Sequence, residues 1–278
     1  MGLSVAVVGL GAMGRPIAGH LVDSGAPTTV FDLDHRLVEE LLARGARPAG
    51  SLREAAASDV VIVIVPSDDD VRAVCLGSDG EGDGLLAGAR PGTAVLISAS
   101  VRPETCEEVA AAARERGVDV LDAALTGGAR GAEAGRINLL VGGDPEVLER
   151  IRPALEPWTL AVHHLGPLGA GQVGKTVNNL CHWAQIAIIH EALLLGQRLG
   201  VPASKIRNAV LDGPAASRTL ADVEQMRLTW WRKDIENARR MAATIGYDLP
   251  LTDRVHELMA GITVDRIAAL VNDEDPDA

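Results

Sequence analysis

The chain has 278 residues, of which 47% are hydrophobic and only 2% aromatic, and a formal net charge of −12. That length supports a large core in one or two domains, built from Val, Leu, Ile and Ala as in layered α/β proteins. The acidity argues against nucleic acid or an anionic membrane as the main partner, because both need a basic face, and leaves a small anionic substrate open, since a few local cations outweigh a diffuse negative field.

Through the first half, short β-branched runs alternate with Ala-rich helical stretches. Strands are predicted at Ser4–Val8, Thr28–Phe31, Val60–Val65, Ala94–Ser98 and Val118–Asp122. Helices are predicted at Ala12–Ser24, Leu37–Arg44, Leu52–Ala57, Asp69–Leu76 and Glu104–Arg116. Such alternation builds a parallel, doubly wound sheet, and Ile137–Val141 and Val162–Leu165 are candidates to extend its edge. The acidic stretch GSDGEGDG (Gly77–Gly84) reads as a solvated, mobile loop. After Gly171 the strand signals vanish. A long helix, Gln172–Leu199, stops at Gly200 with Pro202 just beyond, and further helices are predicted at Ala203–Leu211, Leu220–Arg227, Lys233–Ile245, Leu251–Ala260 and Val264–Val271. The acidic tail NDEDPDA is expected to fray.

Cys75, Cys106 and Cys181 are far apart, odd in number and without metal-ligand spacing. A reduced cytoplasm is therefore the expected compartment, and no metal is expected. The N-terminal apolar run has no charged leader and is too short for a signal or a membrane span. The apolar run Ala184–Leu195, broken by His190 and Glu191, reads as a buried helix of a soluble protein.

The stretch VAVVGLGAMGRPIAGHL places Gly9, Gly11 and Gly14 at G-x-G-x-x-G spacing, with Leu10, Ala12 and Met13 filling the loop. The first glycine allows a tight turn, the second lets backbone approach a pyrophosphate, and the third lets helix and strand pack closely. The pyrophosphate then sits at the positive helix N-terminus. Asp32 ends the second predicted strand, where a carboxylate bonds the adenosine ribose hydroxyls. The expected fold is thus α/β: a nucleotide-binding Rossmann domain, a doubly wound parallel sheet, over residues 1–166, and an all-helical domain over 167–278, joined by the long helix. Asp32 favours NAD, because it accepts from a free 2′-hydroxyl and repels a 2′-phosphate. Asp34 adds negative charge, while Arg36 leaves NADP open.

Two further stretches, DAALTGGARGAEAGRINLLVGG (Asp122–Gly143) and GAGQVGKTVNN (Gly169–Asn179), join the fingerprint in order. Together with RKDIENA (Arg232–Ala238) they resemble the β-hydroxyacid dehydrogenase family, which includes 3-hydroxyisobutyrate dehydrogenase and tartronate semialdehyde reductase. The resemblance covers essentially the whole chain. It implies an oxidoreductase interconverting a small β-hydroxyacid and its semialdehyde, with NAD or NADP, as a homodimer or homotetramer. The residues support this independently. Lys175, Asn179 and His182 lie at i, i+4 and i+7, on one helix face. Thr126, Gly127 and Gly128 end a strand and begin a turn whose backbone N–H groups can grip a carboxylate. Hydride transfer from an alcohol moves one proton at the same oxygen, and a lysine whose pKa is lowered by burial can exchange it.

By resemblance, Lys175 is the general acid/base and Asn179 holds the reacting oxygen or the nearby carboxylate. Lys233 faces cofactor and substrate and is oriented by Asp234, Pro66 lies beside the adenosine half, and Ser100 lies near the nicotinamide ribose. Each has a plainer alternative: a solvated lysine, a packing amide, a surface charge cluster at Arg232–Asp234. Gln172 matches a family position near the site or is simply a helix N-terminal amide, and His182 either tunes substrate choice or is a satisfied core histidine. The chain departs from the family pattern at Ser98, Val101, Leu125, Thr126 and Arg218. An imine reductase would share the two-domain plan, but such enzymes typically replace the lysine. A non-catalytic nucleotide-binding scaffold would be marked by its loss. 6-Phosphogluconate dehydrogenase proper needs a longer helical domain and a more basic phosphate site.

Overall fold

A computed structural model describes residues 2–77 and 83–276, so most of the predicted acidic loop and the last two residues of the tail lie outside the described residues. The chain divides into two compact units, Met1–Lys175 and Thr176–Ala278.

The first unit is built on strands β1 (Val5–Val8), β2 (Thr28–Phe31), β3 (Arg47–Pro48), β4 (Val60–Val63), β5 (Ala94–Ile97), β6 (Asp119–Thr126), β7 (Ile137–Gly142) and β8 (Thr159–Gly166). Their order in the sheet is β3-β2-β1-β4-β5-β6-β7-β8. The chain winds outward from β1 in both directions, as a doubly wound sheet requires. Helices α1 (Gly14–Asp23), α2 (His35–Leu42), α3 (Leu52–Ala55), α4 (Asp68–Leu76) and α5 (Pro103–Arg114) follow β1 to β5 in turn. Strand residues alternate between two cores. Val5, Val7, Ile62 and Leu96 enter one, and Ala6, Val8, Val61, Val63, Val95 and Ile97 enter the other. Burial on both faces explains why these strands read as continuous apolar runs.

The expected parallel, doubly wound sheet carries one antiparallel pairing. β6 and β7 are antiparallel, with Thr126 opposite Asn138 and Asp122 opposite Gly142, and β8 runs parallel to β7. The connection after β6 holds only the short helix α6 (Gly128–Glu133). A link of that length returns the chain beside its own strand but cannot make a parallel crossover. Strand β6 also runs to Thr126, past the predicted end at Asp122. Helix α7 (Pro145–Leu155), which the sequence pattern does not predict, opens on Asp144, whose carboxylate accepts from the Glu146 amide, with Pro145 in the first turn. Those are ordinary helix-start chemistry.

Helix α8 (Ala170–Arg198) opens inside the first unit and continues through the second. Its start is fixed by Asp122, a fully buried carboxylate on β6. Asp122 Oδ1 accepts from the Gly169 amide at 2.6 Å and Oδ2 from the Gln172 amide at 2.8 Å. A Cβ added at Gly142 or Gly171 would collide with this carboxylate, so glycine at both positions is a condition of its approach. Burial pushes the Asp122 carboxyl above its ordinary value, against the lowering effect of the amides of Gly169 and Gln172. Those amides are the orphan donors of a helix N-terminus, and a negative charge there is favoured.

The second unit contains the remainder of α8 with α9 (Ala203–Leu211), α10 (Arg218–Ala221), α11 (Trp231–Thr244), α12 (Pro250–Met259) and α13 (Val264–Val271). The single helix predicted over Leu220–Arg227 is instead α10 and a separate 3-10 turn at Val223–Gln225. The Ser217 hydroxyl caps α10 by accepting from the Leu220 amide, so the helix starts before the apolar run that suggested it. The core of this unit joins Trp183, Ile186, Trp231, Ile235, Val255, Met259 and Ile267. Trp231 is therefore core, with Arg232 over its ring at 4.2 Å, whereas Trp230 is exposed.

Replacing Asp122 with Asn sets an NH2 group against one of the two backbone N–H groups from which the carboxylate accepts. Asp122→Asn is expected to lower stability by about 1–3 kcal/mol, the cost of leaving a buried donor unsatisfied. Urea unfolding with an unchanged m-value checks this.

Candidate active site

Because β1, β2, β4, β5 and β6 are parallel, the residues that follow them lie along one edge of the sheet. Gly9 follows β1 with φ +92°, and a Cβ there would strike the Ile64 carbonyl. A Cβ at Gly14 would strike the Gly9 carbonyl. These two glycines are demanded by the fold. Gly11 differs: a Cβ there meets nothing within 4 Å. Gly11 lies just before α1, where Met13 provides no side-chain cap. A cradle that the fold leaves empty, beside uncapped helix amides, fits a pyrophosphate. Ala12 beside it is exposed, while Leu10 is buried and anchors the loop in the core.

Asp32 sits just past β2. Its carboxylate accepts from the Leu10 amide at 2.6 Å and from the Asp34 amide at 2.8 Å. It thus fixes the glycine loop while retaining acceptor capacity, since a carboxylate offers about four lone-pair sites. Arg36 is held by Asp34 through two bonds of 3.0 and 2.8 Å. The guanidinium that would meet a 2′-phosphate is therefore already engaged, although exposed.

Pro66 and Ser100 follow β4 and β5 at the same edge. The tripeptide Ala99–Val101 around Ser100 is gripped by Gln172 of α8. The Gln172 Nε2 donates to the Ala99 carbonyl at 2.9 Å, and its Oε1 accepts from the Val101 amide at 3.2 Å. Next along, Asp68 at the start of α4 accepts from the Arg102 amide at 3.0 Å and the Thr105 hydroxyl at 2.6 Å. Burial alone would raise the Asp68 carboxyl, but these bonds and the Arg102 charge together hold it below its ordinary value.

At the end of β6, the Thr126 hydroxyl donates to the Asn138 carbonyl at 3.2 Å. Gly127 and Gly128 follow with φ of 110° and 62°. Both are exposed, and a Cβ at Gly128 meets nothing within 4 Å. Lys175, half-buried, lies one turn beyond Gln172 on the helix that Asp122 anchors. The first unit therefore brings together the glycine loop, Asp32, Pro66, Ser100 and Thr126–Gly128 along one edge, with Lys175 on a helix tied to that edge.

Asn179, His182 and Lys233 belong to the second unit. Asn179 accepts from the Asn178 side-chain amide at 3.0 Å. His182 Nδ1 pairs with the Thr219 hydroxyl at 3.0 Å, and its ring leans on Trp183 with centroids 4.8 Å apart. Trp183 Nε1 donates to Asp234 at 3.0 Å, which fixes the residue beside Lys233. The role of Asp122 does not emerge from the sequence. The signal is an acidic residue ending an apolar strand, upstream of GAGQ, with nothing to show how near the two stretches come.

The sequence of residues 4–166 matches the model of the NAD binding domain of 6-phosphogluconate dehydrogenase. Residues 169–270 match the model described as NAD-binding of NADP-dependent 3-hydroxyisobutyrate dehydrogenase. The chain belongs to the β-hydroxyacid dehydrogenase family. Among this NAD(P)-binding oxidoreductase family, the NAD-dependent L-serine dehydrogenase of Pseudomonas aeruginosa is 42% identical over 200 residues, 72% of this chain and 66% of that protein's length. The 3-hydroxyisobutyrate dehydrogenase of the same organism is 38% identical over 198 residues, 71% of this chain and 65% of that protein. The aligned stretch thus spans about two thirds of these relatives. The solved 3-hydroxyisobutyrate dehydrogenase of Mycobacterium tuberculosis with L-serine superposes with a TM-score of 0.83 at 30% identity, covering 100% of this chain and 98% of that one.

The glycines separate fold from binding. Gly11→Val is expected to change stability by no more than about 0.5 kcal/mol while weakening NADH binding roughly tenfold or more, about 1.4 kcal/mol. Gly14→Ala is expected to cost about 1–3 kcal/mol of stability by overpacking. Fluorescence titration with NADH beside thermal unfolding reads both. At Asp68 the folded carboxyl is lowered, so its contribution is fully present above the unfolded pKa and is lost as pH falls through the folded one. The stability gap between wild type and Asp68→Asn, about 1–3 kcal/mol at neutral pH, is expected to close below about pH 4, as followed by urea unfolding at stepped pH.

Proposed function

We propose that this chain is an NAD-dependent dehydrogenase of a small β-hydroxyacid, with Lys175 as general acid/base. The observation that carries the reading is the open glycine cradle on the same sheet edge to which the Lys175 helix is tied. The bound dinucleotide supplies hydride exchange at its nicotinamide ring. In the oxidising direction neutral Lys175 takes the hydroxyl proton, and in the reducing direction it returns that proton to the carbonyl oxygen. Asn179, one helical turn on, holds the same oxygen. The Gly127 and Gly128 amides, on backbone left clear of side chains, bind the substrate carboxylate, and Thr126 shapes the turn with its hydroxyl already bonded to Asn138. Lys233, beside the Trp183-fixed Asp234, adds positive charge toward cofactor and substrate, and His182 tunes substrate choice.

NAD is favoured over NADP because Asp32 sets a carboxylate at the ribose position while Asp34 holds Arg36. L-Serine leads the substrate panel, since one relative is named for it and one solved neighbour holds it. 3-Hydroxyisobutyrate comes next. Retention of Lys175 together with Asn179 favours this reading over an imine reductase. Three free thiols, Cys75 and Cys106 among the buried residues, are compatible with a reducing cytoplasm. Among the described residues no helix is long and apolar enough to cross a membrane.

A homo-oligomer is part of the proposal. Val177, Ile188, Leu195 and Leu199 are exposed on α8 and its end. At about 100° per residue they fall on one stripe roughly 33 Å long, and an apolar stripe of that length marks an interaction surface. Sedimentation velocity is expected to show a dimer or tetramer, and Ile188→Glu with Leu195→Glu is expected to shift it toward monomer.

The decisive experiment is turnover of L-serine, 3-hydroxyisobutyrate and related semialdehydes with NAD and with NADP, followed by nicotinamide absorbance. NAD-preferring turnover that falls about 10²- to 10⁴-fold in Lys175→Ala is the expected result. Tight NADH binding without turnover on any compound would leave a nucleotide-binding scaffold.

A further inference from the structure

Gln172 makes a set of contacts that the dehydrogenase reading does not use. It is 2% exposed, and each of its polar groups has a defined task. Its backbone amide donates to Asp122 of β6. Its side-chain amide spans the Ser100 tripeptide, donating to Ala99 and accepting from Val101. One residue therefore ties three pieces together: the middle of strand β6, the start of α8, and the loop after β5. Lys175 follows three residues later on the same helix, so an arm fixed at Gln172 sets the distance from Lys175 to the Ser100 loop.

We propose that Gln172 is a positioning residue, holding the Ser100 loop in fixed register with Lys175. This rests on the dehydrogenase reading above. Its logic is that of proximity: a displacement of about 1 Å at a reacting group can cost about a hundredfold in rate, and Gln172 adds hydrogen bonds on both sides of Ser100 to the burial of Ala99 and Val101. A merely structural Gln172 would lower stability and leave the surviving folded enzyme unimpaired. A positioning Gln172 lowers kcat in folded enzyme and leaves substrate KM less changed.

The amide can be tested through its donor and acceptor separately. Gln172→Ala removes both bonds. Gln172→Glu preserves shape and the acceptor for Val101, but donates to Ala99 only when protonated. Burial and the Asp122 charge, which faces this position from β6, raise the new carboxyl's pKa. Arg102, paired with Asp68 beside Val101, acts in the opposite sense. The folded fraction of each variant is set by circular dichroism, and amide exchange at Val101 is read without cofactor. Expected are faster Val101 exchange and a 10- to 100-fold lower kcat for Gln172→Ala, with a kcat ratio to wild type that is flat in pH. For Gln172→Glu, the ratio rises as pH falls. An active wild type matched in kcat by Gln172→Ala, or a Gln172→Glu ratio flat in pH, overturns the proposal alone. A wild type inactive on the whole panel overturns the dehydrogenase reading and the proposal with it.

Discussion

A carboxylate removed from water needs hydrogen-bond donors in its place, and Asp122 finds them at the start of α8. The amides of Gly169 and Gln172 have no partners within the helix, and the helix dipole adds a favourable field. The approach is close enough that Gly142 and Gly171 leave no space for a Cβ. One side chain on β6 therefore converts a helix end, which would otherwise fray, into part of the first unit. That explains why the first turns of α8, up to Lys175, cluster with the sheet while the rest of the helix clusters with the second unit.

The same device repeats along the sheet edge. Asp32 takes the Leu10 and Asp34 amides, and Asp68 takes the Arg102 amide with the Thr105 hydroxyl. In each case a carboxylate just past a strand, or at the start of the helix after it, pins the backbone of a neighbouring loop. Apolar packing of Leu10, Ala99 and Val101 anchors loops at this edge, and the carboxylates add hydrogen bonds to their exposed backbone. Charge-assisted hydrogen bonds are shorter and stronger than neutral ones and can fix a loop without covering it. The strongly acidic composition thus has a local use: several of the carboxylates are turned inward on amides. Cys75 and Cys106 show the contrasting use of burial. Burial pushes the Cys75 thiol up to about 12 and Cys106 upward as well, which makes them inert core residues.

Much of this architecture is legible in the sequence alone. Continuous apolar runs mark β1, β4 and β5 because both faces of a central strand are buried. The glycine spacing identifies the cradle because two of its three glycines are enforced by backbone contacts just past β1 and β4, while the fold leaves the third, Gly11, open. What the sequence hides follows from competing signals. Helix α7 carries a clean start, Asp144 then Pro145, yet Pro153 inside it breaks the helical pattern. The β6–β7 pairing is antiparallel because α6 is too short for a crossover, a fact of length that composition does not announce. Asp122 and Gln172 are plain to see as residue types, but a contact between residues 50 positions apart depends on where the sheet delivers them.

Position in the fold also decides what Lys175 can do. It draws attention as a titratable group on a helix face, yet its usefulness depends on groups that do no chemistry. If α8 were free to slide by a single residue, Lys175 would rotate by about 100° and shift by about 1.5 Å, enough to lose any productive geometry with the edge that carries the glycine cradle. Asp122 opposes the slide by accepting from two specific amides, and Gln172 is hydrogen-bonded on both sides of Ser100 in the loop beside it. The acid/base role proposed for Lys175 is thus inseparable from the buried Asp122, and the stretch from Gly169 to Lys175 carries the amides of the brace as well as the lysine.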